Sequence, residues 1–171
     1  VGSGESSGGR KPTLLELNGS RFGVIAIDMG TAHIHAAAVD LNGLVIQHFT
    51  ISLQDRKQPS EVLTVIKEAI QEIQTIARSL SILGIGIGAH GLVDSDKGIS
   101  IYAPAYQWEH IPMAAMLKAA FQLPVRVDND VRAMALAEKW FGNAKGLSDF
   151  IYLNLGTGIG SGIYLKDELI S

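Results

Sequence analysis

Apolar residues recur along this chain with two different periods. From Gly23 to Met29 they form a nearly continuous run rich in β-branched side chains, as expected of a buried strand. Ile34 to Val39 predicts a second strand, which ends at Asp40-Leu41-Asn42-Gly43, where the Asn-Gly pair favours a hairpin turn. Leu44 to Leu53 predicts a third, with apolar side chains at Leu44, Ile46, Phe49, Ile51 and Leu53. The period then changes. Behind Pro59-Ser60-Glu61, residues Val62, Val65, Ile66, Ala69, Ile70, Ile73, Ile76, Ala77 and Leu80 fall at helical spacing on one face. Glu68, Gln71, Glu72 and Gln74 lie on or toward the other.

Ile82–Ala89 returns to strand character, but its glycines alternate with apolar residues, so a neighbouring backbone or a ligand is expected to approach closely. His90 to Trp108 reads as a loop, Pro112 to Phe121 as a short helix, and Pro124–Val127 as a short strand. That strand runs straight into a helix from Asp130 to Phe141, which stops at Gly142-Asn143. Phe150–Leu155 and Gly160–Leu165 are two further strands joined by a Gly-Thr-Gly turn. The order is β-β-β-α-β-α-β-α-β-β. A three-strand meander followed by alternating helices and strands predicts an α/β fold with a mixed sheet and helices on its faces, of the ribonuclease-H-like, actin-like ATPase type.

Residues 1–12 are Gly- and Ser-rich and read as a flexible linker. Leu14, Leu15 and Leu17 follow as an apolar patch suited to an edge strand. Residues 13–145 are expected to form a first lobe and 146–171 the start of a second, truncated lobe, so the chain is expected to be a fragment.

Composition narrows the function classes. A hydrophobic fraction of 47% supports a packed core, and a net charge of −3 with scattered basic residues offers no basic stripe for nucleic acid. Any contact with DNA is therefore expected through a domain outside this chain. Without cysteine there is neither a disulfide framework nor a thiolate metal site. No apolar run approaches the ~20 residues of a membrane span, and Val1–Gly9 lacks the apolar core of a signal peptide. A soluble, cytoplasmic protein with no membrane partner is expected.

Three stretches carry candidate chemistry. Asp28-Met29-Gly30-Thr31, at the end of a buried strand, suits either a hydrated Mg²⁺ and phosphates or a tight turn that caps its own backbone. Gly156-Thr157-Gly158-Ile159-Gly160-Ser161-Gly162 is either a turn whose amides face an anion or a ligand-free glycine hairpin. It is not a Walker A sequence, since no Gly-Lys-Ser/Thr follows, and a strand rather than a Rossmann helix comes next. Asp128-Asn129-Asp130 sits at a strand-to-helix junction, where one such residue would cap the helix. A carboxylate beside an amide also suits sugar hydroxyls, and the carboxylate could take a hydroxyl proton during phosphoryl transfer. His33 and His35 share a strand face without a third ligand nearby and read as polar strand residues rather than a metal site. Tyr102, Tyr106 and Trp108 read as aromatics at a lobe interface, with sugar stacking the alternative.

The ordered set resembles the ROK family of repressors, open reading frames and kinases. It comprises Asp28-x-Gly30, Gly86-Ile87-Gly88-Ala89-His90-Gly91-Leu92-Val93-Asp94, Ala103-Pro104 with Trp108, Asp128-Asn129-Asp130 with Ala135-Leu136-Ala137-Glu138, and Gly156-Thr157-Gly158-Ile159-Gly160. The resemblance implies that Gly91, Asn129 and Asp130 contact a sugar, with Asp130 at the position of the catalytic base in family kinases. It implies that Asp28, Gly30 and Thr31, together with Gly156, Thr157, Gly158 and Gly160, surround ATP phosphates and Mg. It also implies a Cys-rich zinc site, expected only in a region outside this chain.

The departures favour a repressor. Family kinases typically read Asp-x-Gly-Gly-Thr-Lys where this chain has Asp28-Met29-Gly30-Thr31-Ala32-His33, and a side chain at the second glycine position blocks close approach to phosphate. His90 replaces the usual Pro, and Ala105 stands where kinases usually carry a sugar-contacting Asn. Ser7 to Leu15 resembles the junction after a winged helix-turn-helix domain. The expectation is a sugar-sensing domain of a xylose-repressor-type regulator. Its effector would be a sugar or sugar phosphate, and the full-length protein would be a homodimer. The alternatives are an ATP-dependent kinase acting on a hexose hydroxyl and a pseudo-kinase serving only protein contacts.

Overall fold

A computed structural model describes residues 2–3, 8, 13–156 and 158–170. Its strands are β1 (Gly2–Ser3), β2 (Thr13–Leu14), β3 (Phe22–Met29), β4 (His33–Asp40), β5 (Val45–Ser52), β6 (Ser81–Ala89), β7 (Leu92–Asp94), β8 (Ile99–Ala103), β9 (Trp108–Ile111), β10 (Val125–Asn129), β11 (Phe150–Leu155), β12 (Ile159–Leu165) and β13 (Glu168–Leu169). The helices are α1 (Pro59–Ile76), α2 (Met113–Phe121) and α3 (Asp130–Phe141).

The central sheet has five strands in the order β10-β6-β3-β4-β5. The meander β3-β4-β5 is antiparallel, while β6 and β10 add parallel to β3. The β4–β5 turn forms because the Asp40 carboxylate accepts from the amides of Asn42 and Leu44, and Gly43 takes the left-handed conformation.

One face of the sheet presents Ile25, Ile27, Met29, Ile34, Ala36 and Ala38, all buried with the apolar stripe of α1. The stripe holds Leu63 as well as the expected positions, whereas Ile76 is exposed at the helix end. On the opposite face α3 covers the β6–β10 side and also carries β11-β12-β13, a separate antiparallel sheet. Between α3 and the meander lies an open groove of about 790 Å³, walled in part by Val24, Ala26, Ala37, Gly86, Trp140 and Phe141. The outward side chains of β11 and β12 (Ile151, Leu153, Leu155, Ile159, Ile163 and Leu165) form an exposed apolar sheet face.

Three expectations are corrected. The stretch from His90 to Trp108 is not a loop; β7, β8 and β9 form a small antiparallel sheet. Of the three aromatics expected at a lobe interface, Tyr102 is exposed, whereas Tyr106 and Trp108 are buried within this chain and packed on each other, with the Trp108 indole donating to the Lys57 carbonyl. Of the early apolar patch, Thr13–Leu14 pairs among the described residues with Gly2–Ser3, and Leu15 and Leu17 are exposed, so it joins a two-stranded sheet and not the edge of the five-stranded one.

Candidate functional site

The parallel strands β3, β6 and β10 end together, and their register builds the site. Asp28, Gly88 and Asp128 lie in one row across the three strands, with Met29, Ala89 and Asn129 in the next. Chain continuity then places His90, Gly91 and Asp130 just beyond the sheet edge. The alternating glycines of β6 serve this convergence unequally. A Cβ at Gly84 would lie 3.0 Å from the Pro124 carbonyl, and one at Gly88 would lie 3.4 Å from the Asp130 Cα. Gly86 has open space above it, toward the groove.

Asn129 holds the junction together. Its side-chain oxygen accepts from the amides of Val131 at 3.0 Å and Arg132 at 3.1 Å, capping α3. Its amide nitrogen donates to the Gly91 carbonyl and to Asp130 Oδ1, both at 2.9 Å. Both hydrogens and both lone pairs of the side chain are thereby engaged within the protein. In this arrangement Asn129 positions Gly91 and Asp130.

Asp130 is left with one oxygen to offer. Oδ1 accepts from Asn129 and from the Val131 amide, whereas no hydrogen bond among the described residues reaches Oδ2. Across from Oδ2, at 4.0 Å, stands His90 Nδ1. Gly91 is fixed by its surroundings: its φ is +95°, and a Cβ there would lie 2.3 Å from the Tyr102 carbonyl. Only glycine meets both conditions without strain.

Asp28 is half-buried at the end of β3. Burial raises its carboxyl above the ordinary value; the neighbouring His35 opposes that rise and the Asp130 carboxylate adds to it. His35 is its cross-strand partner and bonds through Nδ1 to Thr50 Oγ1 at 2.9 Å. The turn after Asp28 is tied down from below, since the Tyr106 hydroxyl donates to the Gly30 carbonyl. Burial, together with the Asp28 charge, pushes that hydroxyl up to about 12. Tyr106 thus supports the candidate phosphate turn instead of stacking on a sugar. Asp128 is occupied by Arg132, whose Nε donates to Oδ1 at 2.9 Å.

The two glycine turns differ in what they show. Gly30 and the exposed Thr31 follow Asp28 directly. In the second turn Gly156 donates to the Gly158 carbonyl, and both glycines have open space where a side chain would be. Thr157 lies outside the described residues. Gly160 and Gly162 have a packing reason: Cβ atoms there would lie 2.6 Å from Val131 and 2.5 Å from Ala135, so they let α3 rest on β12. No described hydrogen bond joins the Gly156–Gly158 turn to the Asp28 turn. Among the described residues no three His, Asp or Glu side chains converge to hold a metal ion. A Cys-rich zinc site does not fit a chain without cysteine. No helix among the described residues is long and apolar enough to cross a membrane.

Sequence reasoning named Asp28, Gly91, Asn129 and Asp130, and the fold brings all four to one sheet edge. It passed over His90 as a site residue, although its position between Ala89 and Gly91 in the glycine-rich motif was the available signal.

Comparison with known proteins places these features. The ROK family profile matches residues 24–171. A xylose repressor of Caldicellulosiruptor bescii is 35% identical over 170 residues, covering 98% of this chain and 43% of that protein. Among solved structures, a ROK family transcriptional regulator described as a homolog of the E. coli MLC protein superposes with a TM-score of 0.83 at 30% identity, over 90% of this chain and 39% of that one. A ROK family glucokinase from Streptomyces griseus, solved with glucose and AMPPNP, gives 0.79 at 30% identity, over 86% of this chain and 46% of that one. The chain therefore spans less than half the length of each of these three relatives, and its fold is the expected actin-like one.

Proposed function

The chain belongs to the ROK family, and from that premise we propose that it is the sugar-sensing part of a transcriptional repressor. One observation carries the choice over a kinase. The end of the site that would face a sugar keeps Asp130 Oδ2 open opposite His90, whereas the first candidate phosphate turn reads Met29-Gly30-Thr31-Ala32-His33 and lacks both the second glycine and the lysine. Similarity to a xylose repressor along nearly the whole chain supports the same reading.

In this reading an aldose binds at the ends of β3, β6 and β10, donating a hydroxyl proton to Asp130 Oδ2. Asn129 contributes by holding that carboxylate and the Gly91 carbonyl in place. The exposed apolar face of β11 and β12 seats a second lobe formed by further polypeptide, consistent with the greater length of the relatives. Sugar held between the lobes favours one lobe arrangement and so alters how a homodimer presents DNA-binding domains lying outside this chain.

The kinase alternative keeps Asp130 as the base that takes the proton of a hexose hydroxyl, with ATP phosphates and Mg at Asp28, Gly30, Thr31 and the Gly156–Gly160 turn. The two readings separate in one experiment. The intact protein is titrated calorimetrically with a panel of aldoses and aldose phosphates, and its ADP release in the presence of ATP is followed with and without Asp130→Asn. The repressor reading expects saturable sugar binding without turnover. Turnover that disappears in Asp130→Asn would establish the kinase, and an absence of any sugar binding would remove both.

A further inference from the structure

We propose that His90 is a specificity-determining residue that reads, together with Asp130, a single hydroxyl of the bound aldose. The inference rests on the sugar-sensing reading above and names how that site recognises its ligand. Asp130 Oδ1 accepts from Asn129 and shares the single Val131 amide hydrogen with Asn129 Oδ1, so Oδ2 is the oxygen left open to a ligand proton. His90 Nδ1 faces it at 4.0 Å, too far for a direct hydrogen bond. An oxygen about 2.8 Å from both atoms fits that gap with roughly 90° between its two partners, slightly inside the tetrahedral angle.

A hydroxyl is the group that suits such a pair. It donates its proton to the carboxylate and accepts one from the imidazole, whereas a carboxylate alone accepts and cannot donate. Neither ring nitrogen of His90 has a hydrogen-bond partner among the described residues, and the side chain is one-third exposed, at 33%. The backbone that carries it is fixed on both sides. Ala89 is locked in register with Met29 and Asn129, and Gly91 is held by the Asn129 amide and pressed against the Tyr102 carbonyl. The ring thus projects from a fixed backbone position, so a hydroxyl of the wrong configuration lies away from the point that His90 and Asp130 share.

The test uses the intact protein and calorimetric titration. The aldose that binds tightest is found first, and the wild type, His90→Ala and His90→Gln are then titrated with it and with its monodeoxy analogues. His90→Ala is expected to bind the parent aldose about tenfold more weakly, as loss of one such hydrogen bond implies, with its melting temperature unchanged. His90→Gln, which keeps a donor, regains part of that loss. For one deoxy analogue the wild type and His90→Ala bind alike, since the shared hydroxyl is already gone. Equal affinity of wild type and His90→Ala for the parent sugar overturns the proposal. So does the same loss on every deoxy analogue, which would mean an indirect effect. Should His90→Ala not fold, the comparison of His90→Gln with wild type across the analogues decides in the same way. A folded wild type that binds no aldose overturns the sugar-sensing reading itself, a result distinct from either of the others.

Discussion

Asn129 offers the sharpest test of how the site is built, because one side chain performs two separable tasks. Asn129→Ala removes the cap of α3, worth about 1 kcal/mol, and the bond to the Gly91 carbonyl, worth about another 1 kcal/mol. Asn129→Ser restores a capping oxygen but has no amide to donate to Gly91 and Asp130, so it should lose only the second ~1 kcal/mol. Asn129→Asp keeps the capping acceptor and turns a donor into an acceptor facing Asp130 Oδ1, which now stands 2.9 Å from the amide nitrogen. That substitution should be the most damaging at neutral pH, and its cost should shrink as acid neutralises one of the two carboxylates. Urea denaturation of the intact protein gives the stability order, and sugar titration of the same variants gives the effect on the site. The expected stability order is wild type, Ser, Ala, Asp, with sugar binding impaired in all three variants. Full sugar affinity in Asn129→Ser would refute the positioning role and leave Asn129 as a helix cap alone. A loss below about 0.5 kcal/mol in Asn129→Ala would refute the cap assignment.

Two further perturbations test neighbouring parts of the same construction. Gly91→Ala places a Cβ in a left-handed backbone position and 2.3 Å from the Tyr102 carbonyl. It should cost about 3 kcal/mol or more by denaturation, and a cost under about 1 kcal/mol would show that the β6–β7 connection is free to move. Asp28 has a folded value raised above the ordinary 3.8, chiefly by burial. A raised acid favours the native state below its unfolded value and loses that contribution as pH climbs through the folded value. Asp28→Asn should therefore raise the melting temperature near pH 7 and leave it unchanged near about pH 3. A destabilisation at neutral pH would mean that the ionised carboxylate is held by partners stronger than His35.

The main sheet was legible in the sequence because its strands are long and bounded by strong punctuation. The β-branched run from Gly23, the Asn42-Gly43 turn and the Pro59 helix start each combine a periodic pattern with a residue that ends or begins an element. The sheet formed by β7, β8 and β9 was not legible for the opposite reason. These strands hold three to five residues, too few for alternation to show, and they lie among Asp, Ser, Lys, Gly and Pro residues that signal turns. Tyr106 and Trp108 were misplaced with them. An aromatic in a loop looks available, whereas here Tyr106 in the β8–β9 turn and Trp108 at the start of β9 are both buried, with their polar atoms bonded to the backbone of Gly30 and Lys57.

At the site, the sequence offered both capping and sugar binding as explanations of Asp128-Asn129-Asp130, and the geometry shows that the cap and the proposed hydroxyl acceptor are compatible in one arrangement. A helix cap fixes the side-chain oxygen of Asn129 against the first turn of α3. That constraint aims the amide at Gly91 and at Asp130 Oδ1, and engaging Oδ1 is what leaves Oδ2 as the open acceptor. The direction in which Asp130 can receive a hydroxyl is thus set by the start of a helix. No periodicity could reveal this, because it depends on which atom of each side chain is already used. It also explains how such a site tolerates change at the first phosphate turn. The polar groups at Asn129 and Asp130 are supported by α3 and by Gly91, none of which requires the residues missing after Gly30. A hydroxyl acceptor at Asp130 and a first turn without the second glycine and the lysine can therefore coexist in one fold, which is the combination the proposed sensor needs.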